Sequence, residues 1–139
     1  MDACKFCEIA GEQRYKGVIA YQEKEVVVFA SRDQRPTNVG HMLVVTRRHF
    51  RNLYDLPPAL DAVFLGCVRR TAQAVQHAFH ASGTTVRQNN EPPGQDFFHV
   101  HVHVIPRYLN DGDLSAPYQR VELASRVQQA QRLAPLMNR

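Results

Sequence analysis

Apolar positions along the chain fall into three patterns. Residues 18–21 and 26–30 are short β-rich runs separated by the polar Gln22-Glu23-Lys24-Glu25, which predicts a hairpin. Residues 41–46 (His-Met-Leu-Val-Val-Thr) predict a third strand and residues 84–87 a fourth. Between them, Leu60, Val63, Phe64, Cys67, Thr71, Ala74, Val75 and Ala78 recur at helical spacing. A long amphipathic helix should therefore open at Pro57-Pro58, where a missing N–H costs nothing, and stop at Ser82-Gly83. The third pattern is strict alternation: His99, His101 and His103 alternate with Val100, Val102 and Val104 at the start of the run 99–107. Successive strand side chains point to opposite faces, so this spacing places three imidazoles on one face and three valines on the other.

The remaining segments read as connections. The stretch up to Gly11 predicts a short helix or turn carrying Phe6 and Ile9. Pro36, Asn38 and Gly40 mark residues 32–40 as loop, Asn89-Asn90-Glu91-Pro92-Pro93-Gly94 is turn-rich, and residues 108–117 are again loop. A terminal helix is expected over 121–133, with Val121, Leu123 or Ala124, Val127 and Ala130 turned inward. Short turn-rich links favour antiparallel pairing. The expected class is α+β: one domain over residues 1–139, a mainly antiparallel sheet of about five strands, one long helix and a C-terminal helix.

Composition narrows the function. The chain has 139 residues, 44% hydrophobic and 22% charged, which suits a globular domain with a real core. Its net charge of +4 comes from arginines spread along the sequence, so a solvated basic surface is favoured over a nucleic-acid groove. A weak positive field also suits a phosphorylated small molecule. No apolar run reaches the length of a membrane span, and the N-terminal Met-Asp-Ala-Cys-Lys-Phe has no basic region followed by an apolar stretch. A cytoplasmic, reducing location is expected. There, the Cys4/Cys7 pair points to a metal before a disulfide, although two cysteines are half of a zinc site. Cys67 lies on the apolar stripe of the long helix and is expected in the core.

A row of imidazoles offers two chemistries. A neutral imidazole attacks phosphorus when one ring nitrogen is bare and the other gives its proton to a fixed acceptor such as a backbone carbonyl. His101, flanked by a histidine on each side, is the natural nucleophile, and His103 is placed to donate to a phosphate oxygen or leaving group. Alternatively, H-x-H on a strand is a metal-binding pattern. No nearby Asp or Glu stands out as the further ligand that a catalytic zinc would require.

His99-Val-His101-Val-His103-Val-Ile resembles the signature of the histidine triad (HIT) family of nucleotide hydrolases and transferases. The resemblance extends to Gly94-Gln95 before the run and Pro106-Arg107 after it. It includes Gly40-His41-Met-Leu43-Val-Val-Thr-Arg-Arg-His49 upstream and the N-terminal Cys4-Lys-Phe6-Cys7-Glu-Ile9 of the zinc-containing branch. What the resemblance implies is specific. Cys4, Cys7, His49 and His99 would bind a structural zinc. His101 would attack the α-phosphorus of a purine nucleotide conjugate and form a nucleotidyl-histidine, with His103 and His41 in the same site. Phe6, Ile9 and Leu43 would enclose the base, while Gln95 and either Asn89 or Asn90 would contact phosphate. Ser31 and Asp33 are both available as the ribose-binding group, with Asp33 preferred. A homodimer is implied. The chain departs from the family pattern in carrying Asp96 beside the phosphate position, a shorter loop at 88–93 and Thr46 in place of proline. An adenosine phosphoramidate and a dinucleoside polyphosphate both remain open as substrates. The alternative from another class is a nucleotide-binding interaction protein with little turnover.

Overall fold

The computed structural model of the chain describes residues 4–137. The part of the N-terminal reading that rests on Met1, Asp2 and Ala3 lies outside them. The elements follow in the order α1 (Lys5–Gly11), β1 (Ile19–Gln22), β2 (Val26–Ala30), β3 (Asp33–Gln34), β4 (Met42–Thr46), α2 (Asp61–Ala78), β5 (Gly83–Arg87), β6 (His101–Arg107), β7 (Gln119–Arg120) and α3 (Leu123–Met137). Five strands form one antiparallel sheet in the order β1-β2-β4-β6-β5, so the α+β architecture is as expected. No described helix is long and apolar enough to cross a membrane.

The central strands β2 and β4 are apolar without alternation because both faces of the sheet are covered. Every residue of each is buried. On one face Val26, Val28, Met42 and Val44 join Val100, Val102 and Val104 against Phe64, Cys67 and Val75 of α2 and Leu133 of α3. On the other, Val27, Phe29, Leu43 and Val45 pack with Ile9, Ala10 and Val18. Each fully buried valine contributes roughly 1.5–3 kcal/mol. The histidine run therefore has one face committed to the core beneath α2, which turns the imidazoles to the opposite side. Cys67 is fully buried, and burial pushes its thiol up to about 11.

Four expectations change. β6 begins at His101, so His99 lies just before the strand rather than on it, and the Val100 N–H donates to the Phe50 carbonyl, 2.7 Å away. The helix after the prolines starts at Asp61, because Pro58–Leu60 forms a separate 3₁₀ turn that buries Leu60. The segment 32–40 is not all loop: β3 pairs with β7 through Asp33↔Arg120 and Gln34↔Gln119, a contact between distant polar residues that has no apolar pattern to announce it. In α3, Leu123 and Ala124 are exposed, while Gln129, Ala130, Leu133 and Met137 turn inward. The helix runs past Leu133, Ala130 is buried and Val127 packs against the cluster of Val27 and Leu43, both as expected. Gln129 is buried because its amide pairs with that of Gln34, whose Nε2 donates to it over 2.7 Å.

Gly40 sets up the turn into β4. Its φ is +107°, and a Cβ there would lie 2.7 Å from the Phe79 ring. Both the backbone and the neighbour exclude a side chain. Gly40→Ala is expected to lower unfolding stability by about 2 kcal/mol or more. Urea denaturation measures this, and an unchanged midpoint would contradict the close approach of Phe79.

Candidate functional site

On the sheet face opposite α2 lies a cavity of about 740 Å³. One end is apolar and aromatic. Phe6 of α1 stacks on Phe97 with ring centroids 4.0 Å apart and meets Phe29 edge-on at 5.4 Å. Ile9 and Leu43 complete that wall. Ser31, Asp33, Asn89 and Asp96 add polar groups, and His41, His101 and His103 line the rest.

The backbone fixes the state of His101. Its Nδ1 lies 2.7 Å from the His99 carbonyl. A carbonyl only accepts, so Nδ1 carries the proton and Nε2 is left bare. Burial lowers its pKa below the usual imidazole value, against the opposing effect of that hydrogen bond and of Asp96. His103 Nδ1 lies 2.9 Å from Nε2 of His41, so one ring donates and the other accepts. Burial, followed by His101, Arg87 and Arg35, brings His103 down to about 3. Burial and then His103 hold His41 well below 6.5. All three rings are neutral at pH 7. His41 is fully buried next to the Gly40 turn, and its carbonyl accepts from the Ser31 N–H.

Cys4, Cys7, His49 and His99 form a second cluster next to the first. Their ligand atoms all lie within 4.8 Å of one another. Cys4 Sγ is 3.3 Å from His99 Nδ1, and Cys7 Sγ is 3.5 Å from both His49 Nδ1 and His99 Nδ1. Tetrahedral bonds of about 2.0 Å to nitrogen and 2.3 Å to sulfur place neighbouring ligand atoms roughly 3.3–3.8 Å apart, so the set fits a metal ion. His99 Nε2 donates to the Thr46 carbonyl over 2.8 Å, which leaves Nδ1 with its lone pair toward the sulfurs. The two thiols also order the chain locally, because Cys4 Sγ caps α1 by accepting from the Cys7 N–H.

The other predicted residues divide. Phe6, Ile9, Leu43, Asn89 and both Ser31 and Asp33 line the cavity. Asp33 pairs with Arg32 at 2.9 Å. Gln95 does not line it: its side chain is buried, donates to the Arg51 and Phe97 carbonyls, and accepts from Glu91 N and Asn52 Nδ2. All four hydrogen-bonding positions of that amide hold the 88–97 loop. Asn90 is likewise tied to Leu53 N and Gln88, which leaves Asn89 for the cavity. His77 and His80, the histidines outside both clusters, are exposed on and just after α2. Several lining residues were not anticipated, Arg87 and Tyr118 among them. Arg87 ends β5 directly opposite His103, a register that the sequence of β5 alone does not reveal.

The comparisons with known proteins agree with this geometry. The HIT domain family model matches residues 12–110. An uncharacterised HIT-like protein of Methanocaldococcus jannaschii is 33% identical over 112 residues, 80% of this chain and 84% of that protein. A bis(5'-nucleosyl)-tetraphosphatase (asymmetrical) of Schizosaccharomyces pombe is 36% identical over 78 residues, 55% of this chain and 43% of that one. Among solved structures, a zinc-bound histidine triad family protein of Mycobacterium smegmatis superposes with a TM-score of 0.77 at 26% identity, covering 98% of this chain and 94% of that one. By its family-model match, its relatives and its fold, the chain belongs to the HIT domain family.

Proposed function

We propose that the protein is a nucleotide hydrolase that cleaves at the α-phosphate of a purine nucleotide conjugate through a nucleotidyl-histidine. The observation that carries this reading is the bare Nε2 of His101 in the cavity, held by the bond from Nδ1 to the His99 carbonyl. The base lies among Phe6, Ile9 and Leu43, the ribose against Asp33, and Asn89 meets phosphate. His101 Nε2 attacks the α-phosphorus, and the bond to the leaving group breaks with its electron pair departing on that group. Nδ1–H stays on the His99 carbonyl and spreads the positive charge that forms on the ring. His41 Nε2–H donates to His103 Nδ1, which leaves His103 Nε2–H to hold a phosphate oxygen or the departing atom. Water then adds to phosphorus, the P–N bond breaks with its electrons returning to Nε2, and the water proton passes to solvent. The tetraphosphatase relative supports hydrolysis over a pure binding role.

The Cys4, Cys7, His49 and His99 set is read as a zinc site, by its two sulfurs and two imidazole nitrogens and by the zinc-bound structural neighbour. When bound, zinc supplies a rigid cross-link between the N-terminus and the segment before β6 rather than a reacting water. Of the three triad histidines only His99 belongs to the set, which sets aside the metal-hydrolase use of the row. A homodimer is part of the proposal by family resemblance, with β5 at the edge of the sheet and its Val86 half-exposed.

A panel of adenosine phosphoramidate and diadenosine tetraphosphate incubated with wild type and His101→Ala should show turnover reduced at least about a thousandfold in the variant. An acid-quenched wild-type reaction should contain protein-bound nucleotide. Nucleotide binding with no turnover by either protein would favour the interaction-protein reading instead.

Purified protein should contain about one zinc per chain, and Cys7→Ser should lower both zinc content and Tm. Brief chelation should reduce stability before it reduces turnover. Full zinc retention in the variant would overturn the ligand set.

The neutral pair His41 and His103 also makes stability depend on pH. Their folded pKa values are depressed, while in the unfolded chain they titrate near 6.5. The unfolded state then binds more protons below pH 6.5, so their contribution is present above that value and is lost as pH falls from 6.5 toward about 3. Urea midpoints at pH 7.5 and 5 should differ more for wild type than for His41→Asn/His103→Gln. Equal differences would mean that the pair is not held neutral.

A further inference from the structure

One cross-strand row on the cavity face of the sheet runs Phe29, Leu43, His103, Arg87. Phe29 pairs with Leu43, Leu43 with His103, and His103 with Arg87. Directly paired residues of antiparallel strands project to the same face, so the row passes from apolar through imidazole to guanidinium over four neighbouring strands. A substrate lying along it with its base over Phe29 and Leu43 and its reacting phosphorus at the histidines extends its far end over Arg87.

What surrounds Arg87 gives that end its chemistry. Arg87 Nη2 donates to the Tyr118 hydroxyl over 2.9 Å. The other face of the interaction is Arg35, whose guanidinium lies 4.1 Å from the centroid of the Tyr118 ring. Neither arginine forms an ion pair among the described residues. Arg87 Nε and Arg35 Nε and Nη1 are shielded from solvent with no acceptor in reach. Buried charged donors without acceptors are costly and uncommon, and two guanidinium groups meeting at one tyrosine with three idle donor nitrogens are prepared for an anion. Both arginines also act electrostatically on His41 and His103, which places their charge at this end of the cavity. Tyr118 is 42% exposed and comes from the segment just before β7, so the arrangement can be reached from solvent.

We propose that Arg87, backed by Arg35 and Tyr118, is a subsite for a tetrahedral oxyanion on the leaving group, so that the preferred substrates release a phosphate or sulfate group rather than an amine. The proposal rests on the nucleotide reading of the cavity given above. A neutral leaving group finds no acceptor for its own donors among these guanidinium groups, whereas an oxyanion satisfies the idle N–H groups and meets the charge. Arg87 thereby acts as a specificity-determining residue.

The test uses the full chain in its zinc-loaded form. Calorimetry with AMP, α,β-methylene-ADP and inorganic pyrophosphate reads the site without turnover. Wild type should bind α,β-methylene-ADP at least about tenfold more tightly than AMP, as a charge-assisted contact to the second phosphate requires. Arg87→Gln should bring that ratio close to one, and Arg87→Lys should retain part of it. In kinetics, the kcat/KM ratio of adenosine 5'-phosphosulfate to adenosine 5'-phosphoramidate should fall about tenfold or more in Arg87→Gln. Comparing the phosphosulfate with diadenosine tetraphosphate shows whether sulfate or polyphosphate is the better occupant. AMP binding with no gain from the second phosphate, or a ratio that Arg87→Gln leaves unchanged, overturns the subsite and leaves the nucleotide reading standing. Pyrophosphate binding that depends on Arg87 without any AMP binding does the reverse. Binding of none of the three overturns both.

Discussion

The hydrogen bond from His101 Nδ1 to the His99 carbonyl, 2.7 Å long, is the constraint on which the site depends. Within a strand the carbonyl of His99 would be committed to a neighbouring strand, and it would not be available to a side chain two residues on. β6 instead starts at His101, and His99 occupies the bend before it. The same residue is fixed through its ring, with Nε2 on the Thr46 carbonyl at the end of β4 and Nδ1 turned to Cys4 and Cys7. Backbone and side chain of one residue thus join the N-terminal helix, a central strand and the attacking imidazole. Without that anchorage the tautomer of His101 would be free to exchange.

The sheet supplies the second requirement, a graded surface. Because β2 and β4 are buried on both faces, the protein can place a core under α2 and α3 and still present apolar residues to the cavity side. Toward β6 and β5 the second face loses its cover, and the side chains there become imidazole and then guanidinium. Recognition of a flat apolar ring, of a phosphorus centre and of an anion are then neighbouring positions in one register. Each depends on strand pairing that a one-residue slip would turn to the other face.

This division explains what the sequence made legible. The three apolar patterns are local, so the hairpin, β4, α2 and the direction of Val100, Val102 and Val104 were readable from spacing alone. Cys4, Cys7, His49 and His99 lie up to 95 positions apart, and only a resemblance joined them. Contacts between distant polar residues carried no such signal. Gln95 looked available to a phosphate, yet its four partners are backbone and loop groups brought in by the fold. The β3–β7 pairing, the exposure of Leu123 and the opposition of Arg87 to His103 all depend on register or docking set by tertiary contacts. The strict alternation of the histidines even misled at one point, since periodicity marks a strand but not the residue at which it begins.

The metal cluster and the cavity are coupled through α1. Cys4 caps that helix and Cys7 lies in its first turn, while Phe6 between them stacks on Phe97 and stands edge-on to both His99 and His101 at 5.8 and 5.2 Å. A seven-residue helix has too few internal hydrogen bonds to persist alone in water, so its placement must come from outside. Ile9 and Ala10 bury part of it, and the sulfurs fasten the other side to His49 and His99. The aromatic wall beside His101 is therefore carried on an element whose position the cysteines set. A structural cluster with no reacting atom of its own can in this way determine how well the reacting imidazole is enclosed.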